Sequence, residues 1–400
     1  MRKPLELEEA VALITQGVQP MGLREVHVSE LNGRYLAADV FAATDQPPFP
    51  RSPLDGYAFR AADSAGASKE NPVRLSVIAK HYAGDPGDTE VGPGQAVRIF
   101  TGAVIPRGAD CVLRQEDTDE GEESVAIYQA LRPYENYIYP GEDFKEDQLL
   151  LSAGTVPDFA ALGLMASAGV SQVTVRRYPR AAVISTGDEL VTPGVWPLPP
   201  GKIYNSNAAL LTARLAEWNI PCSAAHVTDD PEKVALKIKE ALLEHEVVIT
   251  TGGVSVGQKD FLPQALELLG AETVFHGVRL KPGSPALFAK IDGRYVLALS
   301  GNPFAAVTTL ELLARPLLHA LTGDPRLETK RLSATIDTPF PKAGRGRRFL
   351  RGKLADGHVT LPEGHSNGQL ASLVGCNCLV DMRAGTPPLE PGDKVEVVML

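Results

Sequence analysis

The stretch from Glu246 to Asp260 reads EVVITTGGVSVGQKD. Val247, Val248 and Ile249 form a short β-branched run, which predicts a strand buried on both faces of a parallel sheet. Thr250, Thr251, Gly252 and Gly253 follow at once, and Ser255 and Gly257 continue the turn. Asp260 precedes an apolar helical pattern with Pro263 in its first turn, so it is expected as an N-cap. Strand, glycine turn and helix start together expose backbone N–H groups suited to an anion. The plainer alternative is a tight βα connection that binds nothing, since glycine pairs are common there.

The segments on either side repeat that alternation. AAVISTG reads as a strand, Ser206 to Trp218 as a helix after an Asn-Ser-Asn turn, and IPCSAAHVTD as a strand. Pro231 to Glu244 reads as a helix capped by Asp230, with Val234, Ile238, Ala241 and Leu242 on one face. Strands follow around Thr273–Leu280, Pro285–Ile291 and Tyr295–Leu299, and Gly301-Asn302-Pro303 opens a last helix to Leu321 with a kink expected at Pro316. This spacing predicts an α/β domain over 179–323, a doubly wound, mostly parallel, right-handed sheet.

The flanks differ in period. An amphipathic helix is expected over Leu7, Ala10, Val11 and Ile14, and a second from Ser29 through Leu36. Residues 1–45 and 140–178, with a helix from Pro157 to Ala168, form a helical linker unit whose helices are expected to pack together. Between them, 46–139 reads as an inserted β-rich domain: VRLSVIAKHYAG, QAVRIFTGAVIP, DCVLRQED and VAIYQAL. DQPPFPRSPLDGY, with four prolines, is expected as a stiff ordered loop that is neither helix nor central strand. Residues 324–400 return to period two and predict a C-terminal β-barrel-like domain with a hairpin turn at Asp356-Gly357.

Composition narrows the function. The chain has 400 residues, 44% hydrophobic and 22% charged, with a net charge of −10. That balance argues against a nucleic-acid binder, and no uninterrupted apolar run is long enough for a membrane span. Acidic residues interrupt the N-terminal apolar stretch, so no export signal is expected. Four scattered cysteines predict a reduced, cytoplasmic protein without disulfides; Cys376 and Cys378 are expected as strand residues. Arg345, Arg347, Arg348, Arg351 and Lys353 read either as a solvated strand face or as a patch for a small oxyanion.

Chemistry concentrates in the turns expected at one rim of the sheet. They are Ser185-Thr186-Gly187-Asp188-Glu189, Asn205-Ser206-Asn207, Thr228-Asp229-Asp230, the quoted loop, Lys281-Pro282-Gly283-Ser284-Pro285, and Ser300-Gly301-Asn302-Pro303. Glycines and helix starts would take an anion. Asp188, Glu189, Asp229, Asp230 and Asp260 would repel it unless a hard cation lies between, so Mg²⁺ is inferred. Each acid alone reads equally well as a cap, Asp230 and Asp260 best of all. No G-x-S-x-G or P-loop occurs, which disfavours nucleophilic hydrolysis and P-loop phosphoryl transfer.

These motifs, in this order along nearly the full length, resemble the molybdopterin molybdenumtransferase family, which includes MoeA and the gephyrin E domain. They are S-x-x-D-G-Y-A (Ser52–Ala58), F-T-G-A (Phe100–Ala103), G-E-D (Gly141–Asp143), S-T-G-D-E-L (Ser185–Leu190), T-T-G-G-V-S-V-G with its Asp (Thr250–Asp260), K-P-G (Lys281–Gly283) and G-N-P (Gly301–Pro303). The resemblance implies a cytoplasmic homodimer of four domains whose active site is shared between subunits. It implies Mg²⁺-dependent insertion of molybdate into adenylylated molybdopterin with release of AMP, and hand-over to other cofactor-synthesis proteins and molybdoenzymes. Asp188, Glu189, Asp229 and Asp260 would serve metal and phosphate, with Asp55, Asp143, Glu189, Asp229 and Asp260 catalytic. Asp55, Thr101 and Asp143 would reach in from the partner. Thr186, Gly187, Asn205, Ser206, Gly252, Gly253, Ser255 and Asn302 would contact substrate, and Lys281, Ser284 and Arg351 would face the oxyanion. The chain departs from the family pattern at Ser284, where lysine is usual, at Ser300 and Ala305, where proline and serine are usual, and at Asn367, where serine is frequent. All fall near the expected oxyanion site. The alternative is therefore a gephyrin-like dimeric scaffold or pterin-binding paralogue with weak or altered metal insertion. A third reading, the neighbouring adenylyl transfer to molybdopterin, is disfavoured because Val254-Ser255 stand where that family has T-G.

Overall fold

Val247, Val248 and Ile249 are fully buried, each side chain contributing about 1.5–3 kcal/mol through burial. The computed structural model describes residues 3–31, 33–254 and 261–400; Ser255 and Asp260 lie outside them. Strands β1 (Ala181–Thr186), β2 (Cys222–Val227), β3 (Val247–Thr251), β4 (Glu272–His276), β5 (Leu287–Ile291) and β6 (Arg294–Leu299) form one six-stranded sheet in the order β2-β1-β3-β6-β5-β4. β2, β1, β3 and β6 run parallel; β5 and β4 are antiparallel additions joined by a hairpin and a bulged edge. The chain steps from β1 outward to β2, then back across to β3. The tips of β1 and β3 therefore flank a topological switch point, where open α/β sheets bind ligands.

Helix α1 (Ser206–Glu217) buries Leu211 and Leu215. Helix α2 (Pro231–Glu244) buries Val234, Ala235, Ile238 and Leu242. It shares a core with α3 (Leu262–Leu268) and with Ile184, Val248 and Val296 of the sheet. The last helical run starts at Pro303 and is regular to Thr309. It passes through a π-helical turn, Leu310–Ala314, and resumes as Arg315–Thr322. The irregularity thus precedes Pro316, which has no N–H for the carbonyl one turn back. Glu311, in the π turn, is almost wholly buried and accepts from Arg214 Nε at 2.6 Å and Arg315 Nη1 at 3.1 Å. By length and composition the run Pro303–Thr322 could cross a bilayer, but most of it is packed inside the fold.

The chain divides into two compact units: Met1–Arg24 with Arg176–Leu400, and Glu25–Val175. In the first, the N-terminal helix Leu7–Thr15 buries Leu7, Ala10 and Ile14 against the Leu310–Thr322 segment. This corrects the expectation that it packs with the 157–168 helix. That helix, Phe159–Ser167, is capped by Asp158 and packs within the other unit on a 3₁₀ turn, Val28–Glu30. Among the described residues the turn is all that forms of the helix expected from Ser29. Leu36 is instead held extended by a bridge to Val175 and by its N–H on Thr155 O at 2.8 Å.

The second unit holds a five-stranded sheet of Cys111–Arg114, Gly56–Phe59, Gln95–Ile99, Val73–His81 and Ser124–Ile127, in that order. Gly56–Phe59 is an inner strand, fully buried, where the sequence reading ended a loop. The prolines stop at Pro53, so the strand begins just beyond their reach. Gly56 is obligatory, because a Cβ there would lie 1.9 Å from Leu113 O.

The C-terminal strands β7 (Arg331–Ile336), β8 (Arg348–Ala355), β9 (His358–Thr360), β10 (Cys378–Met382) and β11 (Lys394–Met399) close into a barrel in the order β7-β9-β8-β10-β11. Asp356 and Gly357 both have positive φ and turn β8 into β9, the hairpin chemistry expected. All four cysteines are free; Cys378 opens β10, while Cys376 lies just before it. The basic cluster is not a uniformly solvated face. Arg347 makes a two-pronged pair with Asp381 at 2.7 and 2.9 Å and reaches Glu8 at 2.6 Å, and Arg351 is fully buried.

Candidate active site

Glycines let the loops at the switch point approach one another. Gly252 has φ +96°, and a Cβ there would fall 2.5 Å from Thr186 O and 2.6 Å from Thr186 Oγ1. Gly187 has φ +151°, and its missing Cβ leaves room for the Glu189 carboxylate, which would otherwise lie at 2.6 Å. The tips of β1, β3 and β6 are thereby drawn together, with Gly301 close against Gly252.

Side-chain hydrogen bonds lock the tips. Thr186 Oγ1 donates to Thr251 O at 3.3 Å, and Ser185 Oγ donates to Asn205 Oδ1 at 3.0 Å. Asn205 Oδ1 also accepts from Ala208 N at 3.1 Å and so caps α1. Asn205 thus holds the start of α1 against β1. Asn207 Nδ2 donates to Gly301 O at 2.8 Å and ties α1 to the β6 loop; its Oδ1 is buried with no partner among the described residues.

The result is a cleft of about 910 Å³ whose walls include Glu189, Ser206, Gly252, Gly253, Lys281 and Ser284. Asn302, Ser300, Ala305 and Asn367 line it too, joined by Tyr204. Six of the expected substrate- and oxyanion-contacting positions, Ser206, Gly252, Gly253, Lys281, Ser284 and Asn302, therefore line one cavity, whereas Thr186, Gly187 and Asn205 lie behind its lining. Tyr204, missed in the sequence, ends a two-residue strand, Ile203–Tyr204, that pairs with Leu190–Val191.

The acids are arranged differently from one another. Glu189 lines the cleft. Asp188 and Asp229 lie beside it as neighbours, with Asp229 N–H on Asp188 Oδ1 at 3.2 Å. Asp230 is a cap, accepting from Glu232 N and Lys233 N at 3.0 Å each. Among the described residues no group of three His, Cys, Asp or Glu side chains converges as a closed metal cage. Asp188, Glu189 and Asp229 therefore form an open acidic edge rather than a cage.

Arg351 corrects an expectation. Its guanidinium does not face the cleft. It lies 3.8 Å over the Phe304 ring and donates to the carbonyls of Ser366 and Gln369 and to Ser372 Oγ. Stacking and three hydrogen bonds use the cation to hold residues 366–372, and Phe304 N–H donates to Asn367 O at 3.1 Å. Asn367 and Gly368 are thus presented to the cleft by an arginine behind them. Lys281 is exposed and lines the cleft.

In the Glu25–Val175 unit Asp55 and Thr101 are hydrogen-bonded to each other. Asp55 Oδ1 accepts from Thr101 N at 2.8 Å and Thr101 Oγ1 at 2.7 Å. These two bonds hold the Asp55 carboxyl below the usual carboxylate range. Ser52, nearly fully buried, donates to Leu54 O and fixes the proline loop that carries Asp55. Asp143 is exposed, with its N–H on Gln46 O at 3.0 Å.

Family models match along the chain: the MoeA N-terminal region (domain I and II) over residues 5–169, a probable molybdopterin binding domain over 182–320, and the MoeA C-terminal region (domain IV) over 333–400. The chain belongs to the MoeA family. It is 35% identical to a molybdopterin molybdenumtransferase of Staphylococcus epidermidis and to one of Staphylococcus aureus, in each case over 100% of this chain and 96% of the relative. A crystal structure of a MoeA protein from Pyrococcus horikosii superposes with a TM-score of 0.85 at 31% identity, covering 99% of both chains. This MoeA-family chain thus shares its three matched regions, and its length, with proteins of that name.

Proposed function

We propose that this protein is a molybdopterin molybdenumtransferase of molybdenum cofactor biosynthesis, inserting molybdate at the dithiolene of adenylylated molybdopterin and releasing AMP. The observation that carries the reading is the cleft at the β1/β3 switch point. It brings a glycine turn and a helix start suited to phosphate together with Glu189 and Lys281 in one lining. The Gly253 N–H and the start of α1 would orient the pyrophosphate, the Gly252 N–H being taken by Leu299 O at 3.2 Å, and Lys281 would hold the entering oxyanion. Mg²⁺, when bound, would neutralise phosphate charge during AMP departure; Asp188, Glu189 and Asp229 are the described residues that would hold it, with Asp260 a further candidate by sequence. The Asp55–Thr101 pair and Asp143 are proposed to complete the site of a partner subunit in a homodimer.

Purified protein is expected to release AMP from adenylylated molybdopterin only when molybdate and Mg²⁺ are both present. Glu189→Gln should lower turnover by roughly 10²-fold or more, as losses of electrostatic stabilisation do, with melting temperature unchanged. A scaffold reading has one observation in its favour: Arg351 is turned into the protein rather than toward the oxyanion. Tight pterin binding without AMP release under any molybdate concentration would establish that reading instead.

A further inference from the structure

The turn that carries Asp188 and Glu189 runs on into a proline-bracketed loop, Thr192-Pro193-Gly194-Val195-Trp196-Pro197-Leu198-Pro199-Pro200-Gly201. The base of this loop is fastened to the cleft wall. Leu190–Val191 pairs with Ile203–Tyr204, and Tyr204 Oη donates to Val195 O at 2.7 Å. Lys202 Nζ donates to Asp188 O at 2.5 Å, and Lys202 N–H bonds Pro199 O at 3.1 Å, closing the return. The indole is left in the open. Trp196 is 85% exposed, and Val195 and Ile203 of the same hairpin are 42% and 54% exposed. Ile203 and Tyr204 line the cleft itself, and among the described residues Tyr204 is the one aromatic side chain in that lining.

A single exposed apolar side chain needs no explanation, but an indole, a valine and an isoleucine on one tethered hairpin at the cleft do not stand alone. Four prolines restrict the loop before any ligand arrives, so ordering the indole against a ligand costs little further entropy. The proposed substrate offers two flat ring systems, a pterin and an adenine, while the lining supplies one aromatic ring. We propose that Trp196 supplies the other: its indole stacks on a flat nitrogen heterocycle of the ligand held in the adjoining cleft, and so selects ring-bearing phosphate esters over simple ones. Stacking of this kind tolerates differences between rings, because each presents a π-face. Pterin and adenine therefore share the chemistry. The assignment rests on the reading that the cleft takes adenylylated molybdopterin.

The chain has two tryptophans, and Trp218 is buried, so subtracting the emission of Trp196→Phe from that of the parent isolates Trp196. Whichever of AMP and 6-hydroxymethylpterin supplies the stacked ring should quench that emission; ribose 5-phosphate, a phosphate ester without such a ring, should not. In equilibrium dialysis of the full chain, Trp196→Ala should weaken binding of the ring compound about tenfold, a size that aromatic stacking reaches. Ribose 5-phosphate should bind as before, and Trp196→Phe should stay close to the parent. Loss confined to AMP identifies adenine as the stacked ring, and loss confined to 6-hydroxymethylpterin identifies the pterin. In the AMP-release assay Trp196→Ala should raise KM for adenylylated molybdopterin about tenfold and leave kcat within about twofold, the pattern of lost uniform binding. Parent-like affinity of Trp196→Ala for both ring compounds, or no binding of either by the parent, overturns the inference, while intact AMP release would keep the proposed function. Trp196 emission that is blue-shifted without ligand and moves to the red on dilution would show a second copy covering the indole, and overturns it too. Ring binding lost in Trp196→Ala of a chain that releases no AMP would leave the inference standing while the proposed function falls.

Discussion

Gly252 shows how much of the cleft depends on one missing methyl group. With φ +96° and Thr186 O where a Cβ would go, Gly252→Ala must either strain its backbone or push β1 and β3 apart. The expected cost is about 1–3 kcal/mol, read by urea denaturation, with turnover falling further than stability because the phosphate-facing turn moves. Such a residue is legible in sequence: a glycine pair after a buried apolar run has few other uses. Arg351 was less legible. Its place in a basic cluster looks the same whether the side chain faces a ligand, solvent or an aromatic ring. Only Phe304, distant in sequence, decides that the guanidinium turns inward. Asp230 was open to two readings, and the two N–H groups it caps select one.

At the scale of elements, the barrel depends on a charged network as well as an apolar core. Burial opposes ionisation of Asp381, but hydrogen bonds from Arg347 and Arg331 outweigh it and hold its carboxyl below the usual range. A depressed folded-state pKa stabilises the fold above the unfolded value of about 3.9 and loses that contribution as pH falls through the folded value. Thermal melts should therefore be insensitive to Asp381 between neutrality and about pH 5, then fall below about pH 4 more steeply than in Asp381→Asn. At pH 7 that variant should be less stable by about 3–5 kcal/mol, because two arginines lose their buried partner. The order of sheet strands and helices followed from hydrophobic period, since long alternating segments carry that signal redundantly. Gly56–Phe59 did not, because four residues behind a proline-rich loop are too few to show a period, and their burial comes from strands far along the chain.

For the whole molecule, the proposed homodimer gives a test that single variants do not. If each active site takes Asp55 from one subunit and Glu189 from the other, Asp55→Asn and Glu189→Gln homodimers should both be nearly inactive. Unfolding and refolding them together should restore about a quarter of the parent turnover, since half the dimers are mixed and each of those carries one intact site. No recovery, with exchange of subunits verified, would place all the machinery in one chain. In the sequence this arrangement is implied only by the family resemblance and by no physical pattern. Asp55 and Thr101 could be paired only once the fold brought them within 2.7 Å.

Lys281 forms a parallel bridge with Arg348 of β8, and this has a mechanical corollary. Its peptide is stitched on both sides to that strand, so the lip of the pocket and the rim of the barrel are one piece of backbone lattice. Whatever seats itself against Lys281 should steady the barrel rim as well. Deuterium uptake at the amides of Lys281 and Phe349 should then slow in step when the pocket fills, and a barrel whose exchange ignored occupancy would show that the seam transmits nothing.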